Sequence, residues 1–151
     1  MSHVTASKIV YKDLDALRSA VAVFPELTWC EGQKTWKYWG SWANDYHQED
    51  AAYKRLGIDP KTYGTGLHAI KCKGTEWEIG VVARKEGGYA LVFDFYGESG
   101  RRIQQVVGKE ANKLAQQYSK YATLNAAKKA GYMVSQKVTA TGAIKMQLIK
   151  A

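Results

Sequence analysis

At 151 residues, of which hydrophobic types make up 46%, the chain is long enough for one domain with an ordinary core and needs no metal or disulfide to hold it. No long apolar run occurs, and the opening Met1-Ser2-His3-Val4-Thr5 lacks the features of a secretory leader, so a cytoplasmic protein that neither spans a membrane nor is exported is expected. The net charge of +8 lies in the last third: residues 1–100 hold 12 Lys/Arg against 13 Asp/Glu, whereas residues 101–151 hold 10 Lys/Arg against Glu110 alone.

Along the chain, residues 4–12 read as a first strand, and Asp13 is placed to cap a helix whose apolar side is Leu14, Leu17, Val21 and Phe24. Pro25 ends that helix, and a short strand follows over residues 27–31. Residues 32–66 lose period-2 alternation and fill with Gly, Trp, Tyr and charge, which predicts an insertion, partly helical over residues 49–56. Strands return at residues 68–73, 77–85 and 89–96, the last two joined through Glu86-Gly87-Gly88 as a hairpin. Residues 97–100 read as a turn. Residues 101–130 then lack Pro, are rich in Ala, Gln and Lys, and stop at Gly131, so they predict the dominant helix, with Gly108 as a point of potential break. A second hairpin closes the chain over residues 132–140 and 143–150, turning at Thr141-Gly142. This order predicts a single α+β domain over residues 1–151, with an antiparallel-rich sheet and two main helices on one face.

Cys30 and Cys72 are the only cysteines and form no CxxC or Cys/His spacing, so both are expected as reduced, buried thiols, with no metal site and no cofactor.

Both ends of the chain resemble a known pattern. Met1-Ser2-His3 precedes a Lys-bearing strand and the helix from Asp13, while Leu114-Ala115-Gln116-Gln117-Tyr118 leads through Ala126-Ala127-Lys128-Lys129-Ala130-Gly131-Tyr132 into a hairpin ending Ile144-Lys145-Met146-Gln147-Leu148. The chain resembles, over about two thirds of its length, a small uncharacterised family of cyanobacteria, chloroplast genomes and tailed phages whose members open with Met-Ser-His-Phe. Val4 departs from the family's Phe, and residues 32–66 have no counterpart in it. The resemblance implies a fold and a phage or cyanobacterial setting, and brings no catalytic residue.

Two constellations point to an anionic partner. On an unbroken helix with about 100° per residue, Arg102, Lys109, Lys113 and Lys120 fall within about 40° of one line, a stripe about 27 Å long. Ile103, Val107, Leu114, Tyr118 and Tyr121 occupy a separate side. Such cations would track the phosphates of a strand, or two of them would clamp one phosphorylated ligand; equally, a charged stripe is what any solvated helix face carries. The second constellation is aromatic: Trp36, Trp39 and Trp42, interleaved with Lys34 and Lys37, either stack on nucleobases or anchor the insertion in the core.

Catalytic patterns are weaker. His3, His47 and His68 are scattered, and Asp45, His47 and Asp50 read as a solvated stretch. Asp94 interrupts the apolar run Leu91-Val92-Phe93-Asp94-Phe95-Tyr96, where it is either ion-paired in the core or a pocket acid. The leading expectation is non-enzymatic binding of a phosphate-bearing nucleotide ligand, either single-stranded nucleic acid or a small nucleotide signal, with sequestration by a phage protein as one form of it. Arg102, Lys109, Lys113, Lys120, Trp36, Trp39 and Trp42 are the ligand-binding candidates. One rival is an interaction module or inhibitor docking an acidic protein; another is an enzyme with Asp94 or His68 in a pocket. A homo-oligomer is compatible with each.

Overall fold

Asp13 opens helix α1 (Leu14–Val23) as the sequence predicts: in the computed structural model its Oδ1 accepts the Ala16 amide at 3.0 Å, satisfying one of the donors that a helix start leaves without a partner. The structure describes residues 4–7, 9–37 and 65–150. The helical stretch expected at residues 49–56 lies outside them, as do His3, Trp39, Trp42, Asp45, His47 and Asp50.

Five strands, β1 (Val4–Ala6), β2 (Leu27–Cys30), β3 (His68–Cys72), β4 (Glu78–Ala83) and β5 (Tyr89–Asp94), form an antiparallel sheet in the order β1-β5-β4-β3-β2. The β4–β5 connection turns through Gly87 and Gly88, both at positive φ. Alternation then assigns each strand's side chains to two faces. Ile70, Ile79, Val81, Leu91 and Phe93 pack with Leu17 and Val21 of α1 and with the later helices, so the helices share one face. Ala6, Ala69, Val82, Ala90 and Val92 form the other face, where Trp36 lies 3% exposed. Small residues are required there because the indole lies directly on the sheet: a Cβ at Gly80 would come 2.5 Å from Trp36 Cδ1.

The first strand is shorter than expected. Ser7 Oγ accepts the Leu91 amide at 3.0 Å, replacing a backbone acceptor, and the chain rejoins β5 only at a Tyr11–Tyr89 bridge. The five positions from Ser7 to Tyr11 on this side therefore span three on β5, from Leu91 to Tyr89. This is a bulge, which ends regular pairing.

Two further expectations are corrected. The predicted turn at residues 97–100 is the first turn of α2 (Gly97–Val107). Gly100 is needed for packing, since a Cβ there would lie 2.1 Å from the Phe95 carbonyl carbon. More consequentially, the single helix over residues 101–130 is broken. Gly108 takes φ +89°, Glu110 and Ala111 take left-handed values of 54° and 60° through a 3-10 turn, and α3 (Asn112–Lys129) begins afresh. Left-handed backbone at a non-glycine residue costs about 1–2 kcal/mol. The break is sustained because both helices reach the same core: Ile103, Val106 and Val107 before it, and Ala111, Leu114 and Tyr118 after it, are buried together.

The last hairpin, β6 (Tyr132–Val138) and β7 (Ile144–Lys150), pairs with no other described strand and packs along α3, with Gln116 Nε2 donating to the Gly142 carbonyl at 3.3 Å. Of the two free thiols, Cys72 is buried but Cys30, which was expected to be, is half-buried.

Candidate functional site

The bulge and the helical break face each other. Ser7, Ile9 and Tyr11 from the first, and Lys109, Glu110, Asn112 and Ala115 from the second, line a cleft of about 460 Å³. The eighteen-residue helix α3 starts at this cleft, with Ala111 as its cap residue, no side-chain capping bond and no acid in its first turn. A helix start carries partial positive charge. Lys113 adds to it by folding across the break, its Cγ lying 2.8 Å from where a Gly108 Cβ would be. Lys109 and Lys113 are both exposed, and Glu110 brings a carboxylate to the rim.

Tyr11 forms the inner wall. It is 1% exposed and its hydroxyl has no hydrogen-bond partner among the described residues. Its ring meets Tyr118 edge-on at 4.6 Å, and the Tyr118 hydroxyl is differently employed, accepting the Lys12 and Asp13 amides at 2.9 and 3.1 Å. Burial, and secondarily Tyr118, pushes the Tyr11 pKa well above the ordinary phenol value, so this hydroxyl is a neutral donor. A buried hydroxyl without a partner costs about 1–3 kcal/mol.

The four cations expected as one stripe are separated by the break. Arg102, on α2, donates from Nε to the Lys73 carbonyl at 2.9 Å and lies over Gly74, which fastens the β3–β4 turn to the helix. Lys120 sits farther along α3 with Nζ 5.1 Å from the Tyr121 ring centre. Of the four, Lys109 alone lines the cleft, and Lys113 lies beside Gly108 at the break. Trp36 is committed to the opposite face of the sheet.

The groups considered for catalysis have structural contacts. Asp94 is buried and its Oδ1 accepts the Tyr96 amide at 2.9 Å, while His68 Nδ1 accepts the Gly32 amide at 2.9 Å beside Glu31. Among the described residues no group of three or more His, Cys, Asp or Glu is arranged to hold a metal ion, and no helix is long and apolar enough to cross a membrane. A second cleft, about 430 Å³ at the far end of the sheet, mixes Lys37, Lys71 and Lys73 with Glu26, Glu76 and Glu78. Its buried carboxylate, Glu78, already accepts from Gln33 Nε2 and the Lys37 amide, each at 3.0 Å.

No family model, no curated protein and no solved structure matches the chain. The cleft at the break is thus known by its own residues: Lys109 and Glu110 at the rim, an uncapped helix start with Lys113 close by, and the buried phenol of Tyr11. Sequence reasoning missed Ser7 and Tyr11, because a Ser and a Tyr in a strand-like run carry no mark of a bulge. Gly108 was the available signal for the rest.

Proposed function

We propose that the protein binds, without chemical turnover, a small phosphate-bearing nucleotide at the cleft between residues 7–11 and the helical break. The observation that carries this reading is Lys109 in the cleft wall, with Lys113 beside the break, at an α3 start that has no side-chain cap and no acid in its own first turn, Glu110 lying at the rim. Helix starts bind phosphate because their amide groups point outward and their dipole favours negative charge. The two lysines add compact charges that suit a phosphate group. A volume of about 460 Å³ falls within the ordinary range for small-molecule sites, about 300–1,000 Å³.

The break favours a small ligand over an extended strand. With Arg102 engaged at the Lys73 carbonyl and Lys120 beside Tyr121, two cations remain at one place, where a row along the helix would be needed to follow successive phosphates. Binding alone suffices to sequester a nucleotide signal, a role suited to the cytoplasm.

Calorimetric titration of the full chain with mono-, di- and cyclic nucleotides, pyrophosphate and an oligo-dT strand tests this. A small nucleotide should bind, more weakly as salt is raised from about 50 to 200 mM. Lys109→Gln with Lys113→Gln should weaken it at least about tenfold while Lys120→Gln leaves it intact. The reading fails if no nucleotide binds, or if the double variant binds as the parent does.

A further inference from the structure

The C-terminal hairpin has one face turned to α3 and one turned outward. On the inward face Ile144 and Met146 are half-buried, while the residues opposite them, Val138 and Gln136, are exposed, Val138 by 68%. The outward face is made of three directly opposed pairs: Met133 with Ile149, Ser135 with Gln147, and Lys137 with Lys145. All six are exposed, Met133 by 63% and Ile149 by 48%. Like charges directly opposite each other on a sheet are destabilising, and an isolated two-stranded sheet is marginal in water. Among the described strands β7 pairs only with β6, and it is β6 that packs on α3, so β7 presents a row of backbone donors and acceptors at the sheet's outer edge.

We propose that β7 is a docking edge for an extended acidic segment of another protein, which adds to the hairpin as a third strand. The partner's backbone pairs with Ile144–Lys150, a carboxylate meets Lys137 and Lys145, and an aliphatic side chain about 13 Å away along the strand, four residues on, covers Met133 and Ile149. Charge selects this occupant. Residues 101–151 carry 10 Lys/Arg against Glu110 alone, so a second copy would bring two strongly basic surfaces together. Nucleic acid offers no amide backbone to the edge and no aliphatic group to the Met133–Ile149 end.

Selection of displayed random peptides on the full chain tests this. The expected winners carry Asp or Glu and an aliphatic residue on the same face of a strand, and bind at least about tenfold more weakly to Lys137→Glu/Lys145→Glu. That double replacement keeps a like-charge pair in place, so hairpin stability is matched and only the sign presented to the partner changes. A Lys-substituted version of the winning peptide should then bind the reversed variant. Lys109→Gln/Lys113→Gln should bind the original peptide normally, which separates this site from the nucleotide cleft. The proposal is overturned if no peptide is enriched, if winners are not acidic, or if their binding ignores the charge reversal. It is also overturned by a dimer that Met133→Ser/Ile149→Ser dissociates, or by oligonucleotide binding that the charge reversal abolishes.

Discussion

Tyr11 and Tyr118 meet edge-on with ring centres 4.6 Å apart, and their hydroxyls have opposite circumstances. That of Tyr118 accepts two backbone amides, from Lys12 and Asp13, and so pins the entry to α1 against α3; that of Tyr11 has no partner among the described residues. Tyr118→Phe should therefore cost about 1–3 kcal/mol, the penalty of stranded donors, whereas Tyr11→Phe should be neutral or gain up to about 1 kcal/mol. Urea unfolding at neutral pH measures both. If Tyr11→Phe proves the more damaging, the hydroxyl has a partner after all. The sign with pH follows from burial. The folded phenol of Tyr11 is raised above its unfolded value, so its contribution is complete below about pH 10 and declines as pH rises beyond that. Tyr11→Phe should remove that alkaline decline.

At the acid end Asp13 and Glu31 are both held below the ordinary carboxylate range, Asp13 by the Ala16 amide and Asn125. Hydrogen bonds from Arg18, then from the Trp29 indole, hold the Glu31 pKa at about 2, below the ordinary carboxylate range. A depressed folded pKa contributes stability above the unfolded value that is lost as pH falls through the folded one. The difference in stability between the parent and Glu31→Gln should thus be constant above about pH 5 and shrink towards pH 2. A difference that grows on acidification would contradict this ion-pair geometry.

Backbone strain at the break makes contrasting predictions for neighbouring residues. Glu110 is exposed at φ 54°, so Glu110→Gly should gain up to about 1 kcal/mol by removing left-handed strain. Ala111 has the same conformation but is fully buried, and losing its methyl costs about 0.8 kcal/mol, so Ala111→Gly should come out near zero. Gly108→Ala should lose about 2 kcal/mol or more, since its Cβ would fall 2.0 Å from Asn112 Oδ1 at φ +89°. Chemical denaturation orders the three; a stabilising Gly108→Ala would mean that no such break exists.

Much of the sheet was legible because its signals are local. Gly87 and Gly88 mark the β4–β5 turn, alternation marks β4 and β5, and Asp13 before an apolar run marks α1. The apolar side read for the long helix also reached the core, with Ile103, Val107, Leu114 and Tyr118 all buried. The cation stripe was misplaced because residues 109–115 are helix-compatible by type, and nothing local says that Glu110 and Ala111 will take left-handed values. Arg102 finds its acceptor at Lys73, 29 positions away, and Trp36 its seat at Gly80. Neither partnership has a local trace, and both remove a residue from the candidate site.

The Trp36 seat is itself testable. Gly80→Ala would push a methyl into the indole and should cost about 1–3 kcal/mol. Trp36→Ala should cost about 3–5 kcal/mol by uncovering the small-residue face. Unfolding monitored by circular dichroism measures both. If Gly80→Ala is neutral, the indole does not lie on β4.

Amide-resolved NMR during addition of a small nucleotide tests the central claim most directly. Binding at the break predicts saturable shifts confined to Ser7, Ile9 and Tyr11 and to residues 109–115, and absent from Lys109→Gln/Lys113→Gln. Shifts that map instead to α2 around Arg102 or to the Trp36 face, or that persist in the double variant, would contradict it.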